Sequence, residues 1–214
     1  MNIVYYVLLL LIIFLIFFLF GRVRKYCPKK IKIYMNIVIS MFLIRYISLM
    51  LLCTINKGTY IYLLKNFIYF DYLAIPLMVI GLSYVFLRWD KLDFNINYII
   101  MGVFIIIYFI VMKCIKSKVV LDINYGYIVK LYNDKQLLIL TLMILGVLFL
   151  FTLFFYDKPN NNRKGMIYLI ISILVTIIEL IFHMSGSNTF PYPVIGDIFF
   201  LIIINLAINT FNKI

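Results

Sequence analysis

Gly165–Phe211, GMIYLIISILVTIIELIFHMSGSNTFPYPVIGDIFFLIIINLAINTF, is the stretch that decides the fold. Two apolar segments of membrane length flank a short polar turn. Within them sit the only glutamate of the chain, Glu179, its only histidine, His183, and Asp197. About 20 apolar residues cover a hydrocarbon core roughly 30 Å thick as a helix. Helices satisfy their own backbone groups in lipid, so the stretch reads as a pair of spanning helices. Glu179 and His183 are four residues apart, which places them one turn apart on one helix face. Asp197 follows a few residues into the next segment, and the short turn returns it to similar depth. Carboxylates and imidazoles are costly at membrane depth, so these three residues are either paired structural groups or a site. Read as a site, Glu179, His183 and Asp197 line one outward-facing pocket whose ligand binding depends on pH. Read as structure, they form an interhelical hydrogen-bond cluster.

Composition extends this reading to the whole chain. Of 214 residues, 66% are hydrophobic and 13% charged, and the mean hydropathy is +1.10. A soluble domain is excluded at such values. The net charge of +12 would point to nucleic acid in a soluble chain. Here the basic residues cluster at the ends of apolar runs, where they act as topology signals, and no nucleic-acid partner is expected. Three cysteines, Cys27, Cys53 and Cys114, show neither disulfide nor zinc spacing. No phosphate-binding glycine loop, GxSxG or HExxH occurs, so enzymatic activity, a metal and a cofactor are not expected.

The expected architecture is an all-α integral membrane protein, a bundle of seven transmembrane helices in one domain. The spans are read at residues 3–20, 33–55, 67–87, 96–112, 137–156, 166–185 and 192–211. Arg22, Arg24, Lys25, Lys29, Lys30 and Lys32 follow the first span without an intervening acid, so this loop is expected in the cytoplasm. The N-terminus then lies outside and the C-terminus, at Lys213, inside. Tyr60 to Asn66 are expected at the outer interface after a turn at Asn56, and Pro76 is expected to kink the third span. Arg88, Trp89 and Lys91 mark its cytoplasmic exit. Lys113 to Lys135, the longest polar segment, is expected outside as a lid or ligand-contacting loop. Abundant Ile, Asn, Lys, Tyr and Phe fit an AT-rich bacterial genome, and the expected location is the bacterial cytoplasmic membrane.

On this topology Arg45, Asp71, Glu179, His183 and Asp197 converge in the outer half from four helices. Arg45 near the middle of its span costs about 2.5–3.5 kcal/mol by insertion scales, so it needs a partner. Asp71 is the preferred one, in an ion pair that holds the bundle together. Asn205 and Asn209 share a face of the last span and are expected to hydrogen-bond neighbouring helices.

The order of features resembles the seven-helix membrane region at the N-terminus of some bacterial sensor histidine kinases. The resemblance rests on KNFIYFDYLAIPLMVIGLSYVFLRW in the third span and on Tyr125-Gly126 before the fifth. It rests also on the Pro-containing turn leading to Asp197. It implies sensing of an extracellular or membrane cue and output through the last helix, with no catalytic residues to carry over. The chain departs from the pattern in stopping at Ile214, without a phosphoacceptor or ATP-binding region. A cytoplasmic histidine kinase or other signalling protein is therefore the expected partner, with a homodimer as an admissible assembly. The alternative function is a small transporter that moves a cation or polar solute past the same five residues. No internal repeat supports it.

Overall fold

The computed structural model describes residues 3–54, 58–88, 93–122, 124–159, 161–187 and 190–211. Asn56, Trp89, Lys91, Asn160, Asn188, Thr189, Lys213 and Ile214 lie outside them. The element order is α1 (Ile3–Tyr26), α2 (Lys29–Thr54), α3 (Gly58–Ile68), α4 (Asp71–Leu87), α5 (Asn95–Cys114), β1 (Ser117–Asp122), β2 (Gly126–Leu131), α6 (Asp134–Phe154), α7 (Arg163–Ser185) and α8 (Ile195–Phe211). Six helical segments are long and apolar enough to cross a membrane, with α3 and α4 contributing one of them, Ile61–Leu87. The chain is a multi-pass helical membrane protein. The 17 residues of α8 rise only about 26 Å, less than a typical hydrocarbon core.

Two expectations are corrected. The architecture is not all-α, because the segment read as a polar loop holds an antiparallel hairpin in which Val119 pairs with Val129 and Val120 with Ile128. β-branched residues flank a turn in which the Asp122 carboxylate accepts from the Asn124 and Tyr125 amides at 2.8 and 3.3 Å, a local bond that favours chain reversal. The span read at residues 67–87 is not one continuous helix, since it breaks at Tyr69-Phe70 between α3 and α4 and belongs to the longer segment Ile61–Leu87. Hydropathy is blind to such a break, because the residues on both sides are equally apolar.

The helices also outrun the apolar segments. α1 continues through Arg22, Arg24 and Lys25, and α2 begins at Lys29. Long basic side chains can keep their heads in water while the backbone stays helical.

α4 is the hub. It packs against α2, α5, α6, α7 and α8, and nearly all of its residues are buried. The helix runs on through Pro76, whose ring withdraws the helical donor of the Tyr72 carbonyl. Glycines allow the close approaches: a Cβ at Gly81 would collide with the Tyr34 ring, and one at Gly165 with the Phe86 ring. Such small residues are what lets helices pack tightly in lipid. At the periphery, α1 buries Tyr5, Leu9, Ile12, Ile16, Leu19 and Val23. These alternating steps of four and three give one contact stripe, which packs on α2 and α8. The opposite face, including Leu11, Phe14 and Phe18, is exposed, as lipid contact requires.

The hairpin sits at the end of the bundle opposite the basic segments. Gly126 docks it on the end of α2: at φ +77° its Cβ position lies 3.3 Å from Cys53 Cα and from the Leu52 carbonyl. Any side chain there meets both the left-handed backbone penalty and a backbone wall. Val129 is fastened from two sides. Its amide donates to the Tyr192 hydroxyl at 2.8 Å, and its carbonyl accepts from the Tyr69 hydroxyl at 2.6 Å.

Candidate functional site

Beneath the hairpin lies a charged centre built from α2, α4 and α8. Arg45 is only 1% exposed, so every donor it carries must find an acceptor inside the protein. Its Nη1 donates to Asp197 Oδ2, and its Nη2 to Asp71 Oδ2 at 3.2 Å and the Pro193 carbonyl at 2.7 Å. Its Nε donates to the Ile68 carbonyl at 3.1 Å. The Tyr46 hydroxyl donates to the same Asp197 oxygen at 2.7 Å, and the guanidinium lies 5.5 Å from the Tyr46 ring centroid. One arginine thus serves two acids that are each 2% exposed.

The sequence grouped Asp197 with Glu179 and His183. In the structure their side chains take different partners, although Glu179 and His183 line one cavity and Glu179 accepts from Gly196, the residue before Asp197. Asp197 belongs to the Arg45 centre. Glu179 accepts from the amides of Val194, Ile195 and Gly196 at 2.7, 2.8 and 2.6 Å. These are donors that the start of α8 leaves unpaired, and the positive end of the helix dipole favours a carboxylate there. Glu179 is therefore a cap supplied by α7 to its neighbour. The approach that allows it depends on Gly196, where a Cβ would collide with Thr176. Neither Asn205 nor Asn209 enters the site; at the basic end their carbonyl oxygens accept from Arg22 of α1.

His183 lies between the two arrangements. It lines two cavities. One, of about 350 Å³, is largely apolar and shares Glu179. The other, of about 290 Å³, lies between the hairpin, α4, α6 and α7, and its wall contains Asp71, Asp122, Lys130, Asp134, His183 and the rings of Tyr69, Tyr72, Tyr125 and Tyr192. His183 is close enough to Asp71 and Asp134 to interact with both electrostatically. Among the described residues, Asp71 Oδ1 and Asp134 Oδ1 are buried without a hydrogen-bond partner. A buried acceptor left open costs about 1–3 kcal/mol, and more when charged, and both acids belong to the wall of this cavity. Three acids and one lysine leave the wall net negative. Together with the aromatic faces, this suits a small molecule carrying positive charge.

The sequence singled out Asp71 and His183, covered Asp134 and Tyr125 only as part of the ligand-contacting segment Lys113 to Lys135, and missed Tyr69, Tyr72 and Tyr192 as wall residues. Asp134 could have been singled out as an acid at the head of a span, within the polar segment whose lid role was expected. The tyrosines carry no positional signal among 18 in the chain. No cluster of His, Cys, Asp and Glu fit for a metal ion occurs among the described residues. Comparison with protein-family models and with curated proteins finds no match to this chain.

Proposed function

We propose that this protein is a membrane sensor that binds a small organic cation in the cavity beneath the hairpin and signals through α8 to a cytoplasmic partner. The carrying observation is the pair of open carboxylate oxygens, Asp71 Oδ1 and Asp134 Oδ1, in the wall of one aromatic cavity. Asp71 faces two ways chemically. Its other oxygen holds Arg45, which holds Asp197 at the start of α8. A cation drawing on Asp71 weakens its hold on Arg45 and shifts the guanidinium toward Asp197. A ligand acts on a conformational equilibrium only through such differential contacts.

Helix α8 is also held at its far end, where Arg22 grips Asn205 and Asn209. A change at Asp197 is thus delivered to the basic end of the molecule. By the positive-inside rule that end is cytoplasmic, with the hairpin outside and seven spans in all. The resemblance to sensor-kinase membrane regions points the same way.

The test uses the purified protein in lipid nanodiscs and a panel of choline, butylammonium, sodium and potassium, with 3,3-dimethylbutanol as the uncharged isostere of choline. An organic cation should raise the thermal midpoint in a saturable way, the isostere should not, and Asp134→Asn should remove the shift. Equal stabilisation by the isostere, no shift with any cation, or an undiminished shift in Asp134→Asn would sink the reading. Gradient-driven uptake of the cation into proteoliposomes would replace the sensor with a transporter.

A further inference from the structure

A third cavity lies toward the basic end, far along α4 from the Arg45 centre. It measures about 340 Å³ and is walled by Ile80, Ser83 and Tyr84 of α4, Ile96, Asn97 and Ile100 of α5, and Leu148 and Phe151 of α6. Its wall is apolar apart from a few groups, and two of these are anomalous. Ser83 is 3% exposed and Asn97 8%. Among the described residues, Ser83 Oγ and Asn97 Nδ2 are buried without a partner. A serine hydroxyl in a membrane helix ordinarily donates to the carbonyl one turn back, as Ser40 and Ser48 do to Asn36 and Ile44. Two open donors on facing helices, in the wall of one cavity, call for a shared acceptor.

The acceptor can be narrowed by charge and depth. The one acid in the wall, Asp93, accepts from Lys30 at 3.3 Å. That hydrogen bond holds its carboxyl below the usual range, so its charge is already answered. Nothing in the wall selects a charged ligand. Ser83 lies four residues from the end of α4, about 6 Å along the axis, and Asn97 is in the first turn of α5. This is the depth at which the hydrocarbon of a bilayer gives way to its interface. The outer faces of both flanking helices are exposed and apolar, through Ile99, Val103 and Ile106 on α5 and Val147 and Leu150 on α6. Lipid therefore surrounds the walls of the cavity.

We infer that the α4–α5–α6 cavity is a binding site for a glycerolipid, whose ester carbonyl accepts from Ser83 Oγ and Asn97 Nδ2 while its acyl chain lies along Ile80, Ile100 and Leu148. The site is independent of the cavity beneath the hairpin.

The test compares two photoactivatable phosphatidylcholines in nanodiscs, one with ester-linked chains and one with ether-linked chains lacking the carbonyl. Each carries a diazirine on its chain. The ester lipid should label the segment of α6 around Leu148 more than the ether lipid, by about fivefold for each hydrogen bond realised. Ser83→Ala with Asn97→Leu should abolish the preference without lowering thermal stability, because it removes two open donors together with the site. Leu148→Trp leaves both donors in place and fills the cavity, so it should abolish the labelling itself. Equal labelling of the wild type by the two lipids overturns the inference, as does an ester preference that survives Leu148→Trp.

Discussion

Replacing Arg45 with methionine keeps most of the length of the stem and removes the guanidinium from a position that is 1% exposed. Asp71 and Asp197 are then left buried without their cation, and the Ile68 and Pro193 carbonyls without their donor. Removing one partner of a buried ion pair costs about 3–5 kcal/mol. With two acids stranded, the upper end, about 5 kcal/mol, is expected. Asp197→Asn is milder. The amide oxygen still accepts from Arg45 and from the Tyr46 hydroxyl, and Arg45 keeps Asp71, so the loss is the charged part of the bond, about 1–2 kcal/mol. For a chain of this length 1 kcal/mol moves the thermal midpoint by roughly 2–4 °C. Arg45→Met should thus lower it by about 10–20 °C and Asp197→Asn by about 2–8 °C. Combining Arg45→Met with Asp71→Asn and Asp197→Asn removes all three charges and should recover most of the loss, because buried ionic groups replaced together by neutral ones are often tolerated. The midpoint is read by heating the protein in detergent and following the monodisperse fraction by size-exclusion chromatography. If Asp197→Asn costs as much as Arg45→Met, or if the triple variant is no better than Arg45→Met alone, the centre does not work as described.

Three further outcomes follow from the same contacts. Glu179→Gln keeps one acceptor oxygen for the start of α8 while Glu179→Ala keeps none, so the Ala variant should lose about 0.5–2 kcal/mol and should show the faster hydrogen exchange at the Val194, Ile195 and Gly196 amides; equal protection in both variants would contradict the capping role. Gly126→Ala places a side chain at φ +77° against the backbone of α2, costs at least about 1–2 kcal/mol, and should make the hairpin a protease-sensitive site in an otherwise folded protein. Burial pushes the Cys27 thiol up to about 11, so at pH 8 a maleimide should modify the exposed Cys114 and spare Cys27, which becomes reactive only as pH rises toward that value; in intact cells an impermeant maleimide should reach Cys114, and labelling only after lysis would reverse the proposed orientation.

How much of this could be read from the sequence varies from residue to residue for physical reasons. Six of the expected spans were legible because burial in lipid imposes a one-dimensional rule, a long apolar run, that needs no knowledge of neighbours. The demand of Arg45 for a partner was legible for the same reason. Which partner it takes was only half legible. Asp71 was anticipated, while Asp197 was assigned to Glu179 and His183 on the strength of depth alone. Depth cannot say which way a helix is rotated, and rotation turns Asp197 toward α2. For Glu179 the sequence left a site and a structural hydrogen-bond cluster both open. Its spacing from His183 is a fact about α7, but its role is decided by the amides that the start of α8 presents to it, and an acceptor serving another helix leaves no local pattern. The hairpin had a visible signal in Val119-Val120 and Ile128-Val129 around a glycine-containing turn. The surrounding lysines, characteristic of a polar loop, masked it.

The irregular stretches of backbone and the buried arginine explain one another. In a membrane, a carbonyl that leaves the helical ladder has no water to turn to, so non-helical backbone persists only where protein satisfies it. The break after Ile68 and the turn ending at Pro193 each leave a carbonyl of this kind, and Arg45 donates to both. Its remaining donors hold Asp71, the first residue after the break, and Asp197, near the start of α8. A lysine, a compact charge without a planar fork of donors, could not reach acceptors spread over α3, α4, α8 and the preceding turn. The guanidinium therefore acts as a backbone donor as well as a charge. The two interruptions it sustains are also where Tyr69, Tyr192 and Pro193, outside regular helix, and Asp71, at the start of α4, line the cavity beneath the hairpin.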